Sequence, residues 1–205
     1  MASATDSFTY SNGDLATVSS GKWVNAQGAF DVASNQVKGT AAGSCRVYYS
    51  TGTVSFSADH VSEAQKISAS SYYGALCRMS GSGGSDTGYH WWIADGVVSK
   101  IYKCVAGAFT ELSNLGYYPP DGDYFSLEAS GSGASGVVAR SDSTSPATTS
   151  RGTASAADIG SGQPGLLANG ATELLDNWRG DDLGGAATKA PIPFRRTMRF
   201  FARGF

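Results

Sequence analysis

Short runs of apolar and aromatic residues, each bounded by glycine, serine, asparagine or aspartate, recur along most of the chain. Several runs alternate between apolar and polar positions; in residues 124–129, Phe125, Leu127 and Ala129 share one face. A period of two places alternate side chains on opposite faces of a strand. The pattern predicts roughly twelve short strands joined by turns, which is typical of a β-sandwich or barrel.

The predicted strands cover residues 36–40, 45–50, 53–59, 65–69, 72–79, 89–94, 97–105, 109–112, 124–129, 137–141, 165–169 and 172–179. Asp95-Gly96 separates two of them and is a strong signal for a tight β-hairpin. In residues 72–79, the alternation places one set of side chains, Tyr73, Ala75, Cys77 and Met79, opposite Leu76 and Arg78. No helix is predicted with comparable support.

Composition agrees with one all-β domain followed by a tail. The chain has 205 residues, 27 of them glycine, with only 16% charged residues and a net charge of −2. All 17 acids lie at or before Asp182, whereas the last twenty residues carry five basic residues and no acid. The expected fold is a two-sheet antiparallel β-sandwich over residues 1–185, with an extended basic and aromatic tail over residues 186–205.

The tail combines the residue types that are enriched at protein interfaces. Four exposed phenylalanines would be a liability on a free monomer, so the tail is expected to dock on a partner or on another copy of this chain. A disordered end is the alternative. Nucleic acid is not an expected partner, because no groove-binding element accompanies the arginines. The predicted docking residues are Phe194, Arg195, Arg196, Arg199, Phe200, Phe201 and Phe205.

No catalytic motif is evident, and the chain is predicted not to be an enzyme. His60 and His90 have no ligand-type residue at metal spacing and are expected at the surface or rim of the sandwich. Within residues 1–185, Asp121 and Asp123 are a pair of acids at positions i and i+2, but they lie in a Pro-Pro-Asp-Gly-Asp turn. Their side chains are therefore expected to bond nearby backbone groups rather than flank a glycosidic bond.

The three cysteines, Cys45, Cys77 and Cys104, are predicted to be buried free thiols. A Cys77–Cys104 disulfide requires neighbouring strands, and the sequence leaves that open. No cofactor is expected apart from a candidate Ca²⁺ site with oxygen ligands from Asp176 and Asp181. The alternative for these acids is a strand that ends in a polar turn.

Two aromatic pairs are candidates for stacking on sugar rings. They are Trp91 and Trp92 within one strand, and Tyr117 and Tyr118 within a loop. Because successive side chains of a strand face opposite ways, one of the two tryptophans must face outward unless another element or another protein covers it.

The order of several motifs resembles the concanavalin A-like lectin and glucanase superfamily in its laminin-G-like form. These motifs are Asp6-Ser7-Phe8, Gly21-Lys22-Trp23, residues 73–79, Lys103, residues 122–128, residues 162–166 and Leu175-Asp176-Asn177-Trp178. The resemblance covers residues 5–185 and implies a jelly roll whose first and last strands lie close together. The glucanase Glu-x-Asp-x-(x)-Glu strand and the alginate-lyase Gln-x-His strand are missing, so no catalytic residue carries over.

Domains of this type also resemble accessory modules of tailed-phage virions. Three functions are therefore weighed. The first is a non-enzymatic structural protein of a phage virion, a head decoration or tail-associated protein that docks on other virion proteins through its tail. The alternative is a carbohydrate-binding module for a host surface glycan, and the third is a diverged glycan-cleaving enzyme. The chain begins without a signal-peptide pattern and has no apolar run of membrane length, so synthesis in a host cytoplasm and no membrane insertion are expected.

Overall fold

A computed structural model describes residues 1–40, 43–134 and 136–183. Its elements, in chain order, are β1 (Ser3–Asp6), β2 (Gly13–Asp14), α1 (Leu15–Val18), β3 (Trp23–Gln27), β4 (Phe30–Ala33), β5 (Gln36–Gly39), β6 (Cys45–Tyr49), β7 (His60–Ser68), β8 (Tyr73–Ser80), β9 (Thr87–Ala94), β10 (Val98–Val105), β11 (Ala108–Asn114), β12 (Tyr124–Ala129), β13 (Val137–Asp142), β14 (Ser150–Ala154), β15 (Gln163–Ala168) and β16 (Leu174–Asp182). The predicted docking tail, residues 186–205, lies outside the described residues.

The strands form two sheets that pack face to face. Within the described residues, the first sheet has nine strands in the order β14-β13-β12-β7-β16-β5-β4-β2, with β1 also paired to β16. The second has seven, in the order β11-β10-β9-β8-β15-β6-β3. Strand pairs are antiparallel throughout, as in β1–β16, β7–β12 and β8–β15. The predicted two-sheet antiparallel sandwich is therefore confirmed, and its first and last strands are neighbours.

The inner faces of the two sheets form one core. Phe125, Leu127 and Ala129 are fully buried there, as their alternation predicts. Trp178 of the nine-stranded sheet stacks on Tyr49 with ring centroids 5.0 Å apart, and it packs edge-to-face with Trp23 with ring centroids 4.7 Å apart. Offset and edge-to-face aromatic pairs stabilise a core beyond their buried area.

A β-bulge in β8 overturns part of the predicted alternation. Arg78 has a φ of 53°, and the pairing of β8 with β9 shifts register between Cys77 and Ser80. An extra residue exchanges the faces that follow it. Met79 therefore joins Leu76 in a small cluster on the outer face, while Arg78 is buried at the end of the sandwich.

Two further sequence predictions differ from the structure. Residues 53–59 form no strand, because their backbone is held by other groups: Val54 N bonds Ser50 O, and Ser57 N donates to Asp182 Oδ1 at 2.7 Å. The described residues contain one short helix, α1, which Asp14 caps by accepting from Thr17 N at 2.9 Å. In the described part of the chain, no helix is both long and apolar enough to cross a bilayer.

Candidate functional site

The outer face of the seven-stranded sheet carries a group of aromatic side chains. Trp92 lies at its centre, with ring centroids 5.8 Å from Tyr72, 5.5 Å from Tyr102 and 5.1 Å from Phe109. Tyr48 packs on the same outer cluster, and Phe109 is 38% exposed. These five residues, Tyr48, Tyr72, Trp92, Tyr102 and Phe109, are called the aromatic face below.

The structure separates the two adjacent tryptophans of β9. Trp91 is fully buried in the core and donates its indole N–H to Ser99 Oγ at 3.2 Å. Trp91 is therefore not available to a ligand, which corrects its place among the predicted carbohydrate-binding residues. Trp92 points to the outer face and is half-buried. Because successive side chains of a strand point to opposite faces, one tryptophan must face inward and the other outward. Packing in the core determines that Trp91 is the inward one.

An apolar layer supports the aromatic face from below. Leu76 and Leu167 are fully buried there although they lie on the outer side of the sheet, and Tyr48, Tyr72 and Trp92 pack against them. Gly74 lies opposite Trp92 in the register, so β8 presents no side chain at that point. From β6 to β11 the face crosses five inter-strand spacings of about 4.8 Å, or about 24 Å.

A buried polar network lies beside Trp92. The indole N–H of Trp92 donates to His90 Nδ1 at 3.2 Å, and His90 Nε2 lies 3.8 Å from Asp86 Oδ2. Asp86 Oδ1 accepts from the Arg46 guanidinium at 2.7 Å, and Gln27 also accepts from Arg46. Burial, followed by the charge of Arg46, lowers the pKa of His90 well below its usual value, so the imidazole is neutral. The expectation that His60 and His90 lie at the surface is wrong, because both are fully buried.

Asp86, His90 and Cys104 bring metal-type ligand atoms within 4.8 Å of one another. A histidine that binds a metal through Nε2 carries its proton on Nδ1, and this N–H donates a hydrogen bond to an acceptor. Here the donor Trp92 faces Nδ1, which places the proton on Nε2, and Arg46 already pairs with Asp86. Cys104 Sγ donates to the Asp86 carbonyl at 3.2 Å, and burial raises its pKa to about 11. Asp86 Oδ2 and His90 Nε2 have no hydrogen-bond partner among the described residues. The proton on Nε2 and the Arg46–Asp86 ion pair nevertheless fit a buried ion pair beside a neutral histidine better than a metal centre.

Tyr117 and Tyr118 contact a different part of the molecule. The Tyr117 ring lies 3.6 Å from the Arg151 guanidinium carbon, and Arg151 belongs to β14 of the nine-stranded sheet. Both tyrosines are half-buried against the core. The contacts of Trp92 are all made with residues of the other sheet or its loops, so the structure does not join the two predicted aromatic pairs into one surface.

The predicted Ca²⁺ ligands have protein partners. Asp176 Oδ1 accepts from Asn177 N at 2.7 Å, whereas Asp181 pairs with Arg179 at 3.1 Å and accepts from the Ser3 hydroxyl. Among the described residues, neither belongs to a group of three or more His, Cys, Asp or Glu side chains with ligand atoms within 4.8 Å. Calcium binding stays a prediction that this geometry does not support.

Part of the buried network could have been predicted from the hairpin pairing, although the linear spacing of its residues does not match a metal-binding motif. The Asp95-Gly96 hairpin pairs His90 with Tyr102 and Gly88 with Cys104. Counting outward from the turn therefore places His90 and Cys104 on one face of adjacent strands, two positions apart. Asp86, by contrast, reaches the network from the loop before β9, and Arg46 reaches it from β6. Only the folded sheet brings those two residues there.

The three cysteines are free and buried, as predicted. Cys77 faces the core from β8 and Cys104 lies on the outer side of β10, with β9 between their strands. That arrangement excludes the disulfide that the sequence left open.

The molecule is therefore a β-sandwich with an exposed aromatic sheet face. No protein-family profile matches the chain, and no curated protein matches it. A solved structure, the carbohydrate-binding module CBM66 from Bacillus subtilis, superposes with a TM-score of 0.58 over 78% of this chain and 96% of that one. The two sequences are 16% identical, so the likeness shows the fold alone.

Proposed function

We propose that this protein is a non-catalytic glycan-binding module and that its ligand stacks on the aromatic face around Trp92. The observation that carries the proposal is the outward position of Trp92, with three aromatic rings within 5.8 Å. None of the strands that the structure describes lies above it. Contiguous aromatic surface on a sheet face is typical of a binding site.

The chemistry of the face suits a sugar chain. The apolar C–H faces of sugar rings stack on aromatic rings, while their hydroxyl groups need polar partners at the rim. Lys100 and Glu111 supply such partners beside the face; they pair with each other at 2.7 Å and both remain partly exposed. A span of about 24 Å accommodates several consecutive sugar units.

The fold likeness supports the same proposal, because the matching structure is named a carbohydrate-binding module and not an enzyme. The buried Glu63 is occupied by protein groups: it accepts from the Ser145 hydroxyl at 2.6 Å and from Ala147 N at 2.7 Å. A carboxylate held in this way is a poor candidate for the acid or base of glycan cleavage.

The virion role predicted from the sequence has no support from the described structure. Its docking residues lie in the tail, outside the described ranges. It stays a prediction. A displayed glycan-binding module would be compatible with it, so the two functions are separate questions.

The test is a glycan array followed by affinity measurement on wild type, Trp92→Ala and Tyr118→Ala. We expect wild type to bind one glycan class, Trp92→Ala to lose at least tenfold in affinity, and Tyr118→Ala to bind as wild type. Far-ultraviolet circular dichroism of each variant verifies the fold. Loss of binding in Tyr118→Ala with retention in Trp92→Ala would move the site to the loop, and no binding by wild type to any glycan removes the proposal.

A further inference from the structure

A cavity on the nine-stranded sheet has the size of a ligand pocket. It encloses about 410 Å³ where β1, the bulge of β16 and the loop after β1 meet. Ligand pockets typically span roughly 300–1,000 Å³. It is called the polar pocket here, and the side chains used below are Thr5, Ser7, Thr9, Lys22, Asn177 and Arg179.

One wall of the polar pocket is fixed in place by a buried carboxylate. Asp6 Oδ1 accepts from Phe8 N at 2.8 Å, while Oδ2 accepts from Tyr10 Oη at 2.7 Å and Trp23 Nε1 at 2.9 Å. Phe8 is fully buried and has a φ of 51°, a backbone conformation that is rare for a bulky residue. The loop therefore presents Ser7 and Thr9 on a rigid support, which lowers the entropic cost of binding.

The opposite wall is a bulge in the last strand. The pairing of β16 with β7 shifts between Asp176 and Arg179, and Asn177 has a φ of 48°. The Asn177 amide nitrogen donates to Gln65 Oε1 at 2.8 Å, which orients the side chain. Non-glycine residues in this backbone region concentrate at binding sites. Here Asn177 lines the pocket, and Phe8 lies in the chain between two of its lining residues, Ser7 and Thr9.

The lining favours hydroxyl groups over charge. Thr5, Ser7 and Thr9 are exposed, and none of their hydroxyls bonds another described residue, so all three are free for a ligand. The cations Lys22 and Arg179 are balanced by Asp6 in the wall and by Asp181, which lies 3.1 Å from Arg179. A pocket with little net charge and several free hydroxyls is suited to a neutral polyhydroxylated ligand.

We infer that the polar pocket binds one neutral monosaccharide unit, as a site independent of the aromatic face. The hydroxyls of Ser7 and Thr9 and the Asn177 amide would bond the sugar hydroxyls. The inference goes beyond the proposed function, because it uses the other sheet and does not require Trp92.

The experiment is a nuclear magnetic resonance titration of the full chain with glucose, galactose and mannose, and with glucuronate as a charged counterpart. Asn177→Gly is the main variant, because glycine accepts the left-handed backbone and the fold should persist. Asn35→Gly is its matched control: Asn35 is also exposed, with a φ of 62°, in the turn between β4 and β5. Ser7→Trp, which fills the cavity, is the second variant.

We expect at least one neutral sugar to shift the amides of residues 5–10 and 177–179, with glucuronate weaker by threefold or more. Asn177→Gly and Ser7→Trp should each lose at least tenfold in affinity, whereas Asn35→Gly should bind as wild type. Shifts centred on residues 90–109 and lost in Trp92→Ala would place the sugar on the aromatic face and overturn the pocket site. Tighter binding of glucuronate, or no shift with any sugar at tens of millimolar concentration, would also overturn it.

Discussion

The indole N–H of Trp92 donates to Nδ1 of His90 at 3.2 Å. This bond joins a half-exposed ring to a fully buried imidazole, which in turn faces Asp86 at 3.8 Å and, through it, Arg46. The orientation of Trp92 is therefore set from inside the sheet as well as by its aromatic neighbours.

Removing the acceptor at residue 90 should loosen Trp92. Trp23, Trp91 and Trp178 are at most 1% exposed, so an aqueous quencher of tryptophan fluorescence reports on Trp92. We expect His90→Leu to increase the iodide quenching constant and to weaken glycan binding several-fold. His90→Asn, which keeps an oxygen near the Nδ1 position, should restore most of both. Equal effects of the two substitutions would show that His90 acts only by packing.

Stability should fall as the pH falls below about 6.5. Burial lowers the pKa of His60 to about 4, and the charge of Arg78 adds to this decrease, whereas the bond between His60 Nδ1 and Ser57 O acts in the opposite direction. His60 Nε2 accepts from Arg78 N at 3.0 Å, which requires the neutral imidazole. Between pH 6.5 and about 4, His60 is protonated in the unfolded chain but neutral in the folded one. The free energy of unfolding therefore decreases as the pH falls through this range. For His60 alone this loss amounts to about 3 kcal/mol at about 1.4 kcal/mol per pKa unit.

Urea unfolding at pH 7.5, 6.0 and 5.0 tests whether the free energy of unfolding decreases as the pH falls. The buried His90 should add to the loss in the same direction. A free energy of unfolding that stays constant from pH 7.5 to 5.0 would contradict the buried neutral state of both histidines.

Arg78 should be among the most sensitive residues for folding. Its guanidinium donates to the carbonyls of Ala58, Gly131, Ala156 and Ile159 at 2.5–3.2 Å and lies 3.3 Å from Asp59. Lysine cannot reproduce this fork of donors, and the remaining carbonyls would be buried without partners.

We expect Arg78→Lys to lower the free energy of unfolding by about 3 kcal/mol or more. Arg140→Lys is the matched control, because Arg140 is 30% exposed and pairs with Glu128 at 3.1 Å. It should cost less than about 1 kcal/mol. Thermal and urea denaturation measure both, and similar losses would contradict the role of the carbonyl network.

The two adjacent tryptophans should differ in stability and binding. Trp91→Ala leaves a cavity in the core and should cost about 3–5 kcal/mol. Trp92→Ala removes a half-buried outer ring and should cost clearly less, while it weakens glycan binding on the aromatic face at least tenfold. A larger loss of stability in Trp92→Ala would mean that the outer cluster is a second core rather than a ligand face.

The thiols should be inert in the native protein. Cys45, Cys77 and Cys104 are buried, and burial raises the pKa of Cys104 to about 11, so little thiolate exists at pH 8. Ellman's reagent should react with three thiols in denaturant and with almost none in buffer. Rapid reaction of one thiol without denaturant would show that its strand opens.

The sequence by itself determined the fold class, the Asp95-Gly96 hairpin and the inward set Phe125, Leu127 and Ala129. These follow from local rules: strand period, turn chemistry and the small number of ways to bury one face of a sheet. The sequence predicted buried free thiols but left a Cys77–Cys104 disulfide open, and only the order of the strands excluded that disulfide.

The tertiary structure alone decided which tryptophan faces outward, because period two fixes only that Trp91 and Trp92 oppose each other. It also decided the exchange of faces at Arg78, since a bulge depends on the partner strand and not on local pattern. The His90 network and the polar pocket unite residues from strands and loops far apart in sequence. Such sites depend on strand order and register, which are set by packing the whole core, so no local pattern could place them.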